Sequence, residues 1–82
     1  MIGAYILIET SSGKTTAIQR KLSEMKSGII SAHTVTGPYD IIVLIEAKDL
    51  QTIGDIVTEK IRHLPGVTRT LTCVVVGDIA QK

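Results

Sequence analysis

Ile41-Ile42-Val43-Leu44-Ile45-Glu46-Ala47 is the most strand-like run of the chain, and its reading decides the fold. Its residues are mostly β-branched or aliphatic, which suits a pleated, buried surface. Side chains of a strand alternate between its faces, so Ile41, Val43 and Ile45 oppose Ile42 and Leu44, and both faces are apolar. Such a strand needs cover on both sides.

Just upstream, Gly37-Pro38-Tyr39-Asp40 is a turn signal between two strand-like runs. The earlier of these, Ile29 to Thr36, is weaker and more polar. Before it, Ile18, Leu22 and Met25 recur at helical spacing while Arg20, Lys21 and Glu24 fall elsewhere, which predicts a helix from about Lys14 to Met25. Ser12, in the loop Thr10-Ser11-Ser12-Gly13, is a candidate N-cap, and Ser27-Gly28 ends the helix. Ala4-Tyr5-Ile6-Leu7-Ile8-Glu9 is the first strand. Downstream of the central run, Asp49 caps a second helix with Leu50, Ile53, Val57, Ile61 and Leu64 on one stripe. Pro65-Gly66 stops it, Val67 to Val76 is the last strand, and Gly77 onward is a tail.

The order is β-α-β-β-α-β, and the halves resemble each other. Gly28-Ile29 and Gly66-Val67 stand in the same place, after a helix and before a strand, 38 residues apart. That offset puts Ile6 over Leu44 and Val35 over Cys73. A duplicated βαβ unit with right-handed crossovers gives an α+β fold, the ferredoxin-like βαββαβ sandwich, with both helices on one face of an antiparallel sheet. The first and third strands, the most apolar, take its centre.

Two helices cover one face only. In the first strand Tyr5 and Leu7 oppose Ala4, Ile6 and Ile8, and in the fourth Leu71, Cys73 and Val75 oppose Val74 and Val76, so whichever face is left uncovered would be an apolar patch of about several hundred Å², which soluble monomers rarely expose. Face-to-face packing of two sheets, a dimeric α+β barrel, covers it. It also enlarges the core of an 82-residue domain, which alone buries only roughly 60% of its unfolded surface.

Length leaves room for one domain, residues 1–82. A single cysteine has no disulfide partner and suits a reducing compartment. Met1-Ile2-Gly3-Ala4-Tyr5 lacks the basic start and long apolar run of a signal peptide, and no stretch is long and apolar enough to span a membrane. The expected location is cytoplasmic. A net charge of +1 lacks the basic excess of a free-standing nucleic-acid binder, and two tyrosines with no Phe or Trp make a poor base-stacking platform.

Chemical motifs are few. Ser11-Ser12-Gly13-Lys14-Thr15-Thr16 stands where a phosphate-binding loop would, but Ile8 occupies the position of its first glycine, so helix entry is the simpler reading. His33 and His63 are isolated, with no second ligand at metal spacing. Cys73, in an apolar strand, reads as a buried thiol. No Ser-His-acid set or close carboxylate pair is evident, so no catalytic residue, metal or cofactor is expected. Gly37-Pro38-Tyr39-Asp40 suits a tight hairpin in which Asp40 bonds the turn backbone. A ring beside a carboxylate at a hairpin tip is also a way to hold a small cationic or zwitterionic ligand.

Val35-Thr36-Gly37-Pro38-Tyr39-Asp40 before an apolar strand, with Leu64-Pro65-Gly66-Val67-Thr68-Arg69-Thr70-Leu71-Thr72 further on, resembles the effector-binding domain of the Lrp/AsnC transcriptional regulators. The resemblance spans nearly the whole chain. It implies a ferredoxin-like fold, face-to-face homodimers that assemble into rings, and an amino acid or related metabolite bound between dimers. Carried over by motif, Gly37, Tyr39 and Asp40 would shape the ligand loop, and Thr70 and Thr72 would offer hydroxyls beside it. Asp40 would accept a ligand ammonium, and backbone N–H groups of the turn would meet a carboxylate. Pro38, where many members carry a polar residue, stiffens the loop and leaves the ligand's identity open.

Regulators of this family also carry an N-terminal helix-turn-helix domain. The first strand, expected from residue 4, leaves no such domain before it. The resemblance therefore implies a stand-alone module without direct DNA contact, acting alone or by co-assembly with full-length regulators. Two alternatives share the element order. One is a small dimeric α+β barrel enzyme, whose cavity would gather His, aromatic or acidic groups; with no Phe or Trp this chain is poorly equipped for it. The other is an ACT-type regulatory domain, which usually shows an acidic-Pro-Gly turn where this chain has Thr10-Ser11-Ser12-Gly13.

Overall fold

A computed structural model describes residues 1–26 and 28–77; Ser27 and the tail expected after Gly77 lie outside the described residues. The elements are β1 (Ile2–Thr10), α1 (Thr15–Glu24), β2 (Ile29–Thr34), β3 (Ile41–Ala47), α2 (Leu50–Ile56), which runs on into a π-helical turn at Val57–Ile61, and β4 (Val67–Val74). The sheet order is β2-β3-β1-β4, antiparallel throughout. The two most apolar strands are thus central, as the ferredoxin-like arrangement requires.

Register assigns the faces. Across β1 and β3, Ala4 pairs with Ile45, Ile6 with Val43 and Ile8 with Ile41. All six are buried, packed with Ile18 and Leu22 of α1, Ile53 and Ile56 of α2, and Val57 and Ile61 of the π-turn. Burying one such side chain stabilises by about 1.5–3 kcal/mol, so this aliphatic layer dominates the protomer's stability. No described polar or charged side chain is buried in it.

The intervening residues make the other face: Tyr5 pairs with Leu44 and Cys73, and Leu7 with Ile42 and Leu71. Tyr5 is 44% exposed and Leu71 46%, and Val75, just past β4, is 40% exposed. No described helix lies over them. The expected apolar face is therefore present and open in the protomer.

Four local expectations are corrected. Lys14, not Ser12, is the N-cap of α1, and no side chain caps the helix. The entry is shaped instead by a turn, Lys14 N to Ser11 O at 3.1 Å, and by the Thr10 and Thr15 hydroxyls, 2.6 Å apart. Leu50 is 56% exposed, while Ile56 takes its expected place in the core. Cys73 is exposed rather than buried, because it pairs with Tyr5 on the face of the sheet that the helices leave open. β2 and β4 are shorter than expected, ending at Thr34 and Val74. The repeat holds at Gly28 and Gly66, both at positive φ, but not in the strands: Ile6 faces the helices and Leu44 the open side.

Candidate functional site

One end of the sheet gathers the end of β1, the turn before β3 and the start of β4. The turn is held by the sheet itself: Asp40 N donates to Ile8 O and Val35 N to Asp40 O, both at 2.9 Å. Gly37 stands at a φ of +139°, which side-chain-bearing residues rarely adopt, although nothing lies within 4 Å of where a Cβ would stand. Its requirement is conformational, not steric.

Asp40 does not bond its own turn. Its Oδ2 accepts from Thr10 N at 2.8 Å and from Thr10 Oγ1 at 3.2 Å. A hydroxyl has one proton, so when Thr10 donates to Asp40 it must accept from Thr15. The carboxylate thus reaches through β1 to the first residue of α1. No described residue bonds the other oxygen, Oδ1, which leaves one acceptor for a ligand.

Tyr39 is half-buried and meets β4. Its hydroxyl accepts from a terminal nitrogen of Arg69 at a long 3.4 Å, and the guanidinium carbon stands 5.9 Å from the ring centroid. Each contact is at the outer limit of its kind. Together they lean Arg69 toward the turn.

Thr70 and Thr72 share one side of β4, as expected, pairing with Ile8 and Ile6. That is the helix-facing side, yet Thr70 is only half-buried and Thr72 is exposed. Thr70 helps line a recess of about 370 Å³ with Arg62, Val67, Thr68 and Arg69. Within one protomer, Gly37, Tyr39 and Asp40 stand together with Arg69 leaning toward Tyr39, whereas Thr70 and Thr72 lie on the helix-facing side of β4 and Thr72 lines no part of that recess.

Arg62, Thr68, Arg69 and Thr10 were not singled out from the sequence. Arg69 and Thr68 lie inside the segment that carries the family resemblance, so their position was in view and only their role was missing. Arg62 gives no sequence signal, because its approach to β4 depends on how the π-turn ends.

The Ser11 to Thr16 stretch serves as helix entry. Ser11 N donates to Gly66 O at 2.8 Å, and the Lys14 stem lies against Gly66. Two backbone N–H groups that a phosphate would need are already used. His33, on edge strand β2, and His63, after the π-turn, are both exposed. No described helix is long and apolar enough to cross a membrane.

Residues 3–82 match the Lrp/AsnC ligand binding domain. Over 87% of its length the chain is 34% identical to the HTH-type transcriptional regulator PF0250 of Pyrococcus furiosus, of which it covers 49%. It is 42% identical, over 90% of its length, to homocitrate synthase of Sulfurisphaera tokodaii, of which it covers 16%. The chain therefore spans about half the regulator and a smaller part of the synthase. Among solved structures, TTHA0845 from Thermus thermophilus is similar with a TM-score of 0.91 at 32% identity, covering 99% of this chain and 100% of that one. The transcriptional regulator NMB0573 of Neisseria meningitidis, solved as an L-Met complex, shares the fold at 15% identity with a TM-score of 0.84, over 98% of this chain and 53% of that one.

Proposed function

Because this chain belongs to the Lrp/AsnC ligand-binding domain family, we propose that it is a module that binds an amino acid or related metabolite, oligomerises, and serves transcriptional regulation rather than catalysis. The observation that carries this reading is the open apolar sheet face, with Tyr5, Leu71 and Val75 each at least 40% exposed. A second copy packed sheet to sheet removes that surface from water, and apolar burial at about 25 cal/mol per Å² drives the association. The homodimer is the first layer of assembly, and a ring of dimers the second.

The ligand site lies where dimers meet, around Gly37, Tyr39 and Asp40 of the turn with Thr70 and Thr72 of β4. Asp40 Oδ1, unbonded to any described residue, accepts the ligand ammonium. The L-Met complex of NMB0573 supports the ligand class, through a shared fold. A metabolite held between dimers shifts the assembly by binding one state better than another. Full-length regulators of the family are the partners through which that shift would reach DNA.

A second reading follows from the likeness to homocitrate synthase: the module answers a metabolite on behalf of a biosynthetic enzyme. Sizing by light scattering with and without each amino acid tests the common part. A dimer or larger ring, with a thermal shift for certain amino acids, is expected. A monomer across micromolar concentrations would end both readings. Adding the chain to a purified full-length regulator on DNA, or to the enzyme during turnover, separates them by which of the two responds to ligand.

A further inference from the structure

The apolar centre of the open sheet face is bounded by charge at both ends. Register lays the face out in rows across the strands, with Ile42, Leu7 and Leu71 in one and Leu44, Tyr5 and Cys73 in the next. Beyond Tyr5, Gly3 stands between Glu46 and Val75 and ends the face on one side. Beyond Leu7, Glu9 pairs with Arg69 on the other. At strand spacing, Gly3 and Glu9 lie about 20 Å apart along β1.

The Gly3 end is hollow. A recess of about 500 Å³ opens there, lined by Gly3, Tyr5, Leu44, Glu46 and Val75 beside the N-terminal residues. Gly3 has no need to be glycine within its own protomer. Its φ is not positive, and a Cβ would meet only Val75 Cγ2 at 3.8 Å and Ile45 O at 3.9 Å. A strand glycine that its own chain does not require marks the close approach of something else. Among the described residues the exposed Glu46 carboxylate has no ion pair or hydrogen-bond partner, and the Met1 amine does not pair with it. Covering this end with apolar surface alone would leave a charge unpaired in an interface, which is costly.

The other end holds Arg69, the one lysine or arginine in the four strands. It has no ion pair among the described residues; Glu9 Oε1, beside it, accepts from Thr68 Oγ1 at 3.1 Å instead. Its contacts with Tyr39, at 3.4 Å and 5.9 Å, are loose and leave the guanidinium available.

We propose that the second copy packs on this face with its ends reversed, so that Arg69 of each copy enters the hollow at Gly3 of the other and pairs with Glu46 there. One two-fold axis running across the strands makes both pairs, as an isologous contact requires. An axis along the strands would bring both Glu46 carboxylates to the same end, away from either arginine. A guanidinium suits the hollow, because its planar group also stacks on a ring such as that of Tyr5. Apolar burial drives the association, and the crossed ion pairs set its direction and register. The inference rests on the sheet-to-sheet dimer proposed above and adds its orientation.

Sedimentation equilibrium at low salt tests it on the full chain, with Glu46→Arg, Arg69→Glu and the variant carrying both. Both positions are exposed, so the circular dichroism spectrum should stay that of wild type. Each single reversal sets like charges together and should weaken the dimer about tenfold or more. The double reversal restores opposite charges and should return to within about threefold of wild type. Glu46→Gln and Arg69→Gln form a second cycle free of repulsion, in which the double loss should not exceed the larger single one. Single reversals without effect, a double reversal no tighter than the weaker single, or additive losses in the neutral cycle would overturn the reversed orientation and leave the dimer standing. Wild type that stays monomeric at micromolar concentration overturns both.

Discussion

Asp40 joins three elements through a single oxygen: its own turn, the end of β1 and, by way of Thr10, the start of α1. Removing the carboxylate strands the Thr10 N–H, at a cost of about 1–2 kcal/mol for a charge-assisted bond in a half-buried place. Asp40→Ala should therefore lower the denaturation midpoint and, by loosening the turn, weaken ligand binding indirectly as well. Asp40→Asn keeps an acceptor for Thr10 and removes the charge. It should retain most of the stability while losing the ligand response if Asp40 receives the ammonium; an unchanged response removes Asp40 from the site. Gly66 is the other residue with a demand of its own. At a φ of +99°, a Cβ there would lie 2.7 Å from Lys14 Cβ and 3.0 Å from Ile18 Cδ1. Gly66→Ala should destabilise by more than about 1 kcal/mol, from backbone strain and the push against α1 together. Urea denaturation measures it, and a change within error would show that the loop yields freely.

At the scale of elements, α2 shows how a helix adjusts to a sheet. Ile56 and Ile61 are both buried, five residues apart. In an α-helix that spacing points side chains about 140° apart, whereas the π-turn closes i to i+5 and brings them nearly into line. The bond from Arg62 N to Val57 O, 2.9 Å, is that closure. Ile61→Ala should cost about 2–5 kcal/mol as a core truncation, and Leu50→Ala, on the exposed side, less than about 0.5 kcal/mol. Equal losses would mean that the stripe runs through Leu50 after all. At the other end Asp49 caps α2, its Oδ1 accepting from Thr52 N at 2.8 Å and Thr52 Oγ1 at 2.6 Å. Those bonds favour the carboxylate form and hold its pKa below the ordinary value. A depressed folded-state pKa means that the cap's contribution is complete above the unfolded-state value and fades as pH falls through the folded one. Asp49→Asn, which caps without titrating, should lose less stability than wild type on acidification below about pH 4; melting curves across that range decide it. Asp49 was legible in sequence because its partner is three residues away. The entry to α1 was not, because Gly66, far along the chain, fixes the turn that makes Lys14 its cap. The strands were legible from β-branched runs, but which of their two apolar faces the helices cover was not, and that decides the exposure of Cys73 on the open face. The approach of Arg62 to β4 likewise had no sequence signal, while the turn before β3 announced itself by Gly37 and Pro38.

For the whole molecule, the open sheet face ties stability to assembly. The protomer has one buried aliphatic layer; packing two sheets face to face adds a second, made of Tyr5, Leu7, Ile42, Leu44, Leu71 and Val75. Leu71 stands on β4, 46% exposed in the protomer, so a charge placed there disturbs little within one copy. Buried between two copies without a partner, that charge costs several kcal/mol. Leu71→Glu should therefore weaken self-association at least a hundredfold while leaving the circular dichroism spectrum intact. Wild type should sediment as a dimer or a multiple of dimers at micromolar concentration, with a melting temperature that rises with concentration, as mass action requires. Cys73 provides an independent reading, since it pairs with Tyr5 on the same face and is exposed in the protomer. Its thiol should react slowly with a bulky disulfide reagent in the wild-type assembly and quickly in Leu71→Glu. Fast labelling of wild type at concentrations where it sediments as a dimer would place the interface elsewhere, with the sheet face turned to solvent.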